Sequence, residues 1–150
     1  MLRTVLTATI VLFLSAPLFA ASSDDLAIQQ LSSSDPAVQI QACRTLGASK
    51  STAAVNPLIK LLDSQNTHVQ ASAAAALGAI GEKGDATRAV LRTAQTTDNA
   101  VVRYAALAAL MALAEDGNKQ DIQTVMAGQT ASEDELLADL AQKLSAKLQE

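Results

Sequence analysis

The sequence predicts an all-α protein, a stack of about four helical pairs. Three observations predict it. Asp35-Pro36-Ala37-Val38-Gln39, Asn66-Thr67-His68-Val69-Gln70 and Asn99-Ala100-Val101-Val102-Arg103 each lead to an alanine and then a leucine, at offsets of 31 and then 33 residues. A period in that range marks stacked structural units. Alanine, the strongest helix former, supplies 31 of the 150 residues. Apolar residues recur at helical spacing between short polar turns.

The first 21 residues are expected to lie outside the repeat domain. Met1-Leu2-Arg3 is a short positive start, Val5 to Phe13 is almost wholly apolar, and Ser15 to Ser22 supplies a proline and small residues. That is the pattern of a secretory signal peptide, and its apolar part is short for a span of about 20 residues. Cleavage is expected after Ala20 or Ala21, or one or two residues further on. The domain is then 22–150, secreted or in a bacterial periplasm, with no stable membrane insertion once the leader is gone.

The first pair is expected at 23–47. Ser23 or Asp24 caps a helix through Leu26, Ala27, Gln30 and Leu31, and Ser32 to Ser34 ends it. Asp35 is the next N-cap and Pro36 the first helical residue, where a missing N–H costs nothing. Val38, Ala42 and Leu46 share one face, and Gly47 follows. The second pair is expected at 53–79, with Pro57 inside its first helix, where it is tolerated or bends the start. Asn66 caps its second helix, which closes at Leu77-Gly78. Asp85 caps the first helix of the third pair, 84–114. The second runs from Ala100 with Val102, Ala106, Ala109, Leu110 and Leu113 buried. The fourth pair, 118–148, joins a short helix from Gln120 to Met126, ended by Gly128, to a longer one. Ser132 and Glu135 fit a capping box for the latter, and its polar outer face suits a terminal cap.

These elements resemble HEAT repeats, and among them the short HEAT-like repeats of phycobilisome lyase proteins. The second helix of such a unit opens with Asp, a two-residue gap and Val-Arg, then Ala, then Leu-Gly. Here the pattern reads Asp35, Val38, Gln39, Ala42, Leu46, Gly47, then Asn66, Val69, Gln70, Ala73, Leu77, Gly78. The third copy is Asn99, Val102, Arg103, Ala106, Leu110, with Met111 in place of glycine. The resemblance covers about 30–114 well. It implies an α-solenoid, a right-handed α-α superhelix whose second helices line a concave side, and a ladder of Asp and Arg inside the stack. Only Arg103 keeps the arginine of that ladder; Gln39 and Gln70 replace the others.

The residues offer little chemistry. His68 is the sole histidine, which excludes a His pair or an HExxH zinc site. Cys43 is the sole cysteine, so no internal disulfide forms. It packs between helices, pairs with another chain or serves a redox role. The acidic clusters lie at helix ends, where they cap or face water. No enzyme, cofactor or metal is expected. Removing Arg3 with the leader leaves ten basic against fifteen acidic residues, with no basic run, which argues against nucleic acid.

That leaves surface. The candidate protein-binding residues are Tyr104, Arg44, Gln41, Gln70 and Arg103. Tyr104 is the one aromatic residue beyond Phe19; it either offers a binding anchor with a polar tip or fills space in an alanine-rich core. The expected function is a non-catalytic exported scaffold holding a protein or peptide on its concave face. The alternatives are self-association through the first helix, with Ala27, Ile28 and Leu31, and an accessory subunit of a lyase-like enzyme.

Overall fold

The computed structural model describes residues 23–130, 132 and 134–149. The expected signal peptide at 1–21 lies outside them. Among the described residues the chain forms eight α-helices: α1 Ser23–Gln30, α2 Pro36–Ser49, α3 Val55–Leu61, α4 Thr67–Ile80, α5 Asp85–Thr96, α6 Ala100–Leu113, α7 Lys119–Gln129 and α8 Glu135–Lys147. A 3-10 turn, Thr52–Ala54, precedes α3. Consecutive helices pack as antiparallel pairs across short turns. The second helices α2, α4, α6 and α8 stack in order as one layer, and α3, α5 and α7 stack as the other. The chain is an all-α solenoid.

Each second helix opens in the same way. Asp35 Oδ1 accepts from Ala37 N at 2.8 Å, Asn66 Oδ1 from His68 N and Val69 N, Asn99 Oδ1 from Val101 N and Val102 N, and Asp134 Oδ1 from Leu136 N and Leu137 N. Two residues before each cap, a hydroxyl of Ser33, Ser64, Thr97 or Ser132 accepts the cap residue's own N–H. These side chains satisfy donors that have no partner inside the helix. Seven residues after each cap, Ala42, Ala73, Ala106 and Ala141 are fully buried.

The glycines work differently from the expectation that they close helices. α2 runs past Gly47 to Ser49, and α4 runs past Gly78 to Ile80, where Gly81 takes the left-handed cap at φ 74°. Gly47 and Gly78 are instead points of close approach. A Cβ on Gly47 would lie 3.1 Å from the Ala76 Cα, and one on Gly78 would lie 2.7 Å from the Ala109 Cα. Missing side chains let α2 close on α4 and α4 on α6.

Other boundaries also move. Gly84 occupies the N-cap position of α5, and Asp85 is its first residue, paired with Arg88. α7 extends through Gly128 to Gln129. The cap of α8 is Asp134, two residues beyond Ser132, so the expected capping box gives way to the same Ser-x-Asp arrangement used upstream. Pro57 is the third residue of α3, in the first turn, where no helical N–H is required. Ala27 in α1 and Leu31 just after it are buried, and Ile28 is half-buried.

Candidate functional site

The repeat register defines the outer face of the second-helix layer. Two residues after each cap stand Ala37, His68, Val101 and Leu136, all exposed. Five residues after stand Ile40, Ala71, Tyr104 and Asp139. Nine residues after, the exposed row is Arg44, Ala75, Ala108 and Lys143. At the thirteenth position it is Ala48, Ala79, Ala112 and Lys147, again all exposed. The middle of this face is a floor of alanine, and its two ends carry the charges.

Three adjoining hollows lie along it. The first, about 550 Å³, opens between α2 and α4 and is bordered by Arg44, His68, Ala75 and Ala79. The second, about 250 Å³, lies between α4 and α6 and shares Ala75 and Ala79 with the first. The third, about 380 Å³, lies where the starts of α6 and α8 meet α4, bordered by Val101, Tyr104, Asp134 and Leu136. Among the described residues four large apolar or aromatic side chains are conspicuously exposed: Leu26 at 53%, Val101 at 55%, Tyr104 at 49% and Leu136 at 77%. Three of those four border this one hollow.

The candidate residues divide by what holds them. Tyr104 is exposed and stands at the third hollow, so it presents surface rather than filling the core. Arg44 is exposed at the first hollow and makes no ion pair among the described residues. Gln41 is exposed on α2, outside the lining of the hollow. Gln70 donates through Nε2 to the Leu62 carbonyl at 3.0 Å, as Gln39 does to Leu31 at 3.0 Å. Arg103, at the equivalent place, donates to the Thr97 carbonyl, and its Nε is buried without a partner. Position four after the cap thus ties α2, α4 and α6 to the turn before each, whereas α8 has Ala138 there. The tie runs through a carbonyl, with no Asp–Arg pair.

Val101 and Leu136 were not singled out by sequence reasoning, and His68 was weighed there only for metal or catalytic chemistry. The signal was present: aligning Asp134 with Asn99 places Leu136 in the exposed row beside Val101. At the far end of the face Lys143 pairs with Asp139 at 2.6 Å, and both the bond and the nearby charges, including the Tyr104 phenol, raise the Lys143 pKa.

Cys43 lies beneath the floor of the first hollow. It occupies the eighth position after its cap, where α4 has Ala74 and α6 has Leu107, and all three are fully buried. Burial removes water from the thiolate and pushes its pKa up to about 11. Among the described residues no group of three or more His, Cys, Asp or Glu converges to hold a metal, and no helix is long and apolar enough to cross a membrane.

The HEAT repeats family matches residues 25–111, more than half of the chain. The chain belongs to the HEAT-repeat family. The match ends on Met111, the residue that stands where the earlier copies of the HEAT repeat carry Gly47 and Gly78. No curated protein matches the chain.

Proposed function

We propose that this HEAT-repeat protein is a non-catalytic scaffold, exported through its N-terminal apolar segment, that holds a protein or peptide on the outer face of α2, α4, α6 and α8. The clustering of Val101, Tyr104 and Leu136 at one hollow carries the reading. Exposed aromatic and aliphatic side chains around a concavity, beside a run of connected hollows, are what a binding surface needs and a solvated face lacks. The HEAT-repeat architecture serves protein contact by the same geometry, because stacked pairs expose one continuous layer of helices.

The accessory-lyase alternative requires a reachable nucleophile or pigment-bearing thiol. Cys43 is fully buried and its thiolate disfavoured, which supports the scaffold reading instead. The narrower likeness to phycobilisome-lyase repeats is a likeness of the repeat unit only.

The test is retention from an extract of the compartment in which the protein accumulates, with wild type and Tyr104→Glu as parallel baits. Retention of a protein by the wild type and its loss with Tyr104→Glu is the expected outcome. Equal retention by both would place the binding face elsewhere. For export, the expected observation is a processed chain beginning close after Ala20 or Ala21, read by mass; an intact Met1 on the accumulated protein would remove it.

A further inference from the structure

We infer that the partner is an amphipathic helix about 18 residues long, acidic at both ends, with a small-to-medium apolar stripe between them. The inference rests on the second-helix face being the binding face, and it deepens that reading by giving the partner's chemistry.

Charge is the first argument. The protein carries a formal net charge of -4, yet the four exposed rows of this face hold Arg44, Lys143 and Lys147 against Asp139 alone. Asp139 is already taken by Lys143. The Asp134 carboxylate at the third hollow caps α8 and keeps its negative charge, so the positive sign belongs to the two ends of the face and not to that hollow. Arg44 at one end and Lys147 at the other are left to meet a partner of opposite sign. An acidic segment is attracted to this face although the rest of the molecule repels it.

Spacing is the second. Arg44 is on α2 and Lys143 and Lys147 are on α8, three inter-helix steps apart. At about 8–10 Å per step this is about 24–30 Å. A helix rises about 1.5 Å per residue, so carboxylates about 16–20 residues apart reach both ends.

Backbone satisfaction decides between helix and strand. The face consists of helices whose N–H and C=O groups are paired internally, so it offers an extended segment no ladder of main-chain partners. A helix brings its own hydrogen bonds with it. Its small side chains suit the Ala75, Ala79, Ala108 and Ala112 floor, and one larger apolar residue suits the hollow beside Tyr104 and Leu136.

The probes are two synthetic 18-residue helical peptides with the same alanine-leucine centre. One carries glutamates at both ends and the other lysines. Each is titrated against the full protein by fluorescence anisotropy at low and high salt. The acidic peptide is expected to bind at least about tenfold more tightly than the basic one, with the difference shrinking in salt. Arg44→Glu and Lys147→Glu, both at exposed positions, are each expected to weaken the acidic peptide about fivefold while circular dichroism stays unchanged. Equal affinities, no binding of the acidic peptide, or indifference to both substitutions would overturn the inference. If that happens while Tyr104→Glu still abolishes retention of the natural partner, the face stands and only the partner's chemistry is wrong. If Tyr104→Glu has no effect on retention either, the face itself is wrong.

Discussion

At the scale of single residues, small size matters more here than any functional group. Gly78 is the sharpest case. Ala is the better helix former by about 1 kcal/mol, so an exposed Gly→Ala change inside a helix should stabilise. At Gly78 the new Cβ would meet the Ala109 Cα at 2.7 Å, and a backbone atom has no rotamer by which to withdraw. Gly78→Ala is therefore expected to lose about 1–3 kcal/mol in urea unfolding. Gly47→Ala faces a 3.1 Å approach, and the propensity gain should leave it close to neutral. Equal effects at the two sites would mean that α4 and α6 yield more readily than their packing implies. Cys43 gives a second residue-scale outcome. Its folded pKa of about 11 lies above the ordinary thiol value of 9.0, so the neutral thiol favours folding at lower pH. That contribution is complete below the unfolded pKa and is lost as pH rises through the folded one. The wild type should lose stability between about pH 9 and 11 relative to Cys43→Ala, and its thiol should stay unreactive at neutral pH until the chain unfolds.

At the scale of the element, the helix starts decide where the face is. Asp134 accepts two backbone N–H groups at the start of α8, whereas Glu135 is simply the first helical residue. Asp134→Ala is expected to cost about 1 kcal/mol, and Glu135→Ala a few tenths at most. The reverse order would restore Ser132 and Glu135 as the cap. This is also where the sequence was readable and where it was not. The caps Asp35, Asn66 and Asn99 were plain because each precedes an apolar helix at a constant interval, and the three second helices follow from them. The fourth cap was obscured. Ser132-Glu133-Asp134-Glu135 satisfies two capping patterns at once, and only burial of Leu137 and Ala141 selects between them. The two-residue shift hid Leu136 and with it the third hollow. Gly47 and Gly78 misled for a related reason: a glycine near a helix end looks the same in sequence whether it caps the helix or admits a neighbour. Tyr104 was identified, but that it borders one hollow with Leu136 depends on how the start of α8 meets α6.

At the scale of the whole molecule, the stack is uneven along its length, and the hollow bordered by Val101, Tyr104 and Leu136 lies at the uneven end. α4 is packed between α2 and α6 with glycine-on-alanine approaches on both sides, while α8 meets α6 through a much smaller interface and leans mainly on α7. In a linear array, stability is close to a sum of unit and neighbour terms, so the unit with one weak neighbour opens first. Native-state hydrogen exchange should then show amides of α4 and α6 exchanging only through global unfolding, and those of α7 and α8 through a separate opening of lower free energy. Gly78→Ala should lower the first barrier and leave the second nearly unchanged, since the atoms its Cβ would meet belong to Ala109 of α6. Uniform protection across all eight helices would mean one cooperative unit instead. The distinction bears on binding, because Val101 and Tyr104 belong to the firm part of the stack and Leu136 to the weak one. A partner that spans both must hold α8 in place, so bound partner should raise protection in α8 far more than in α4.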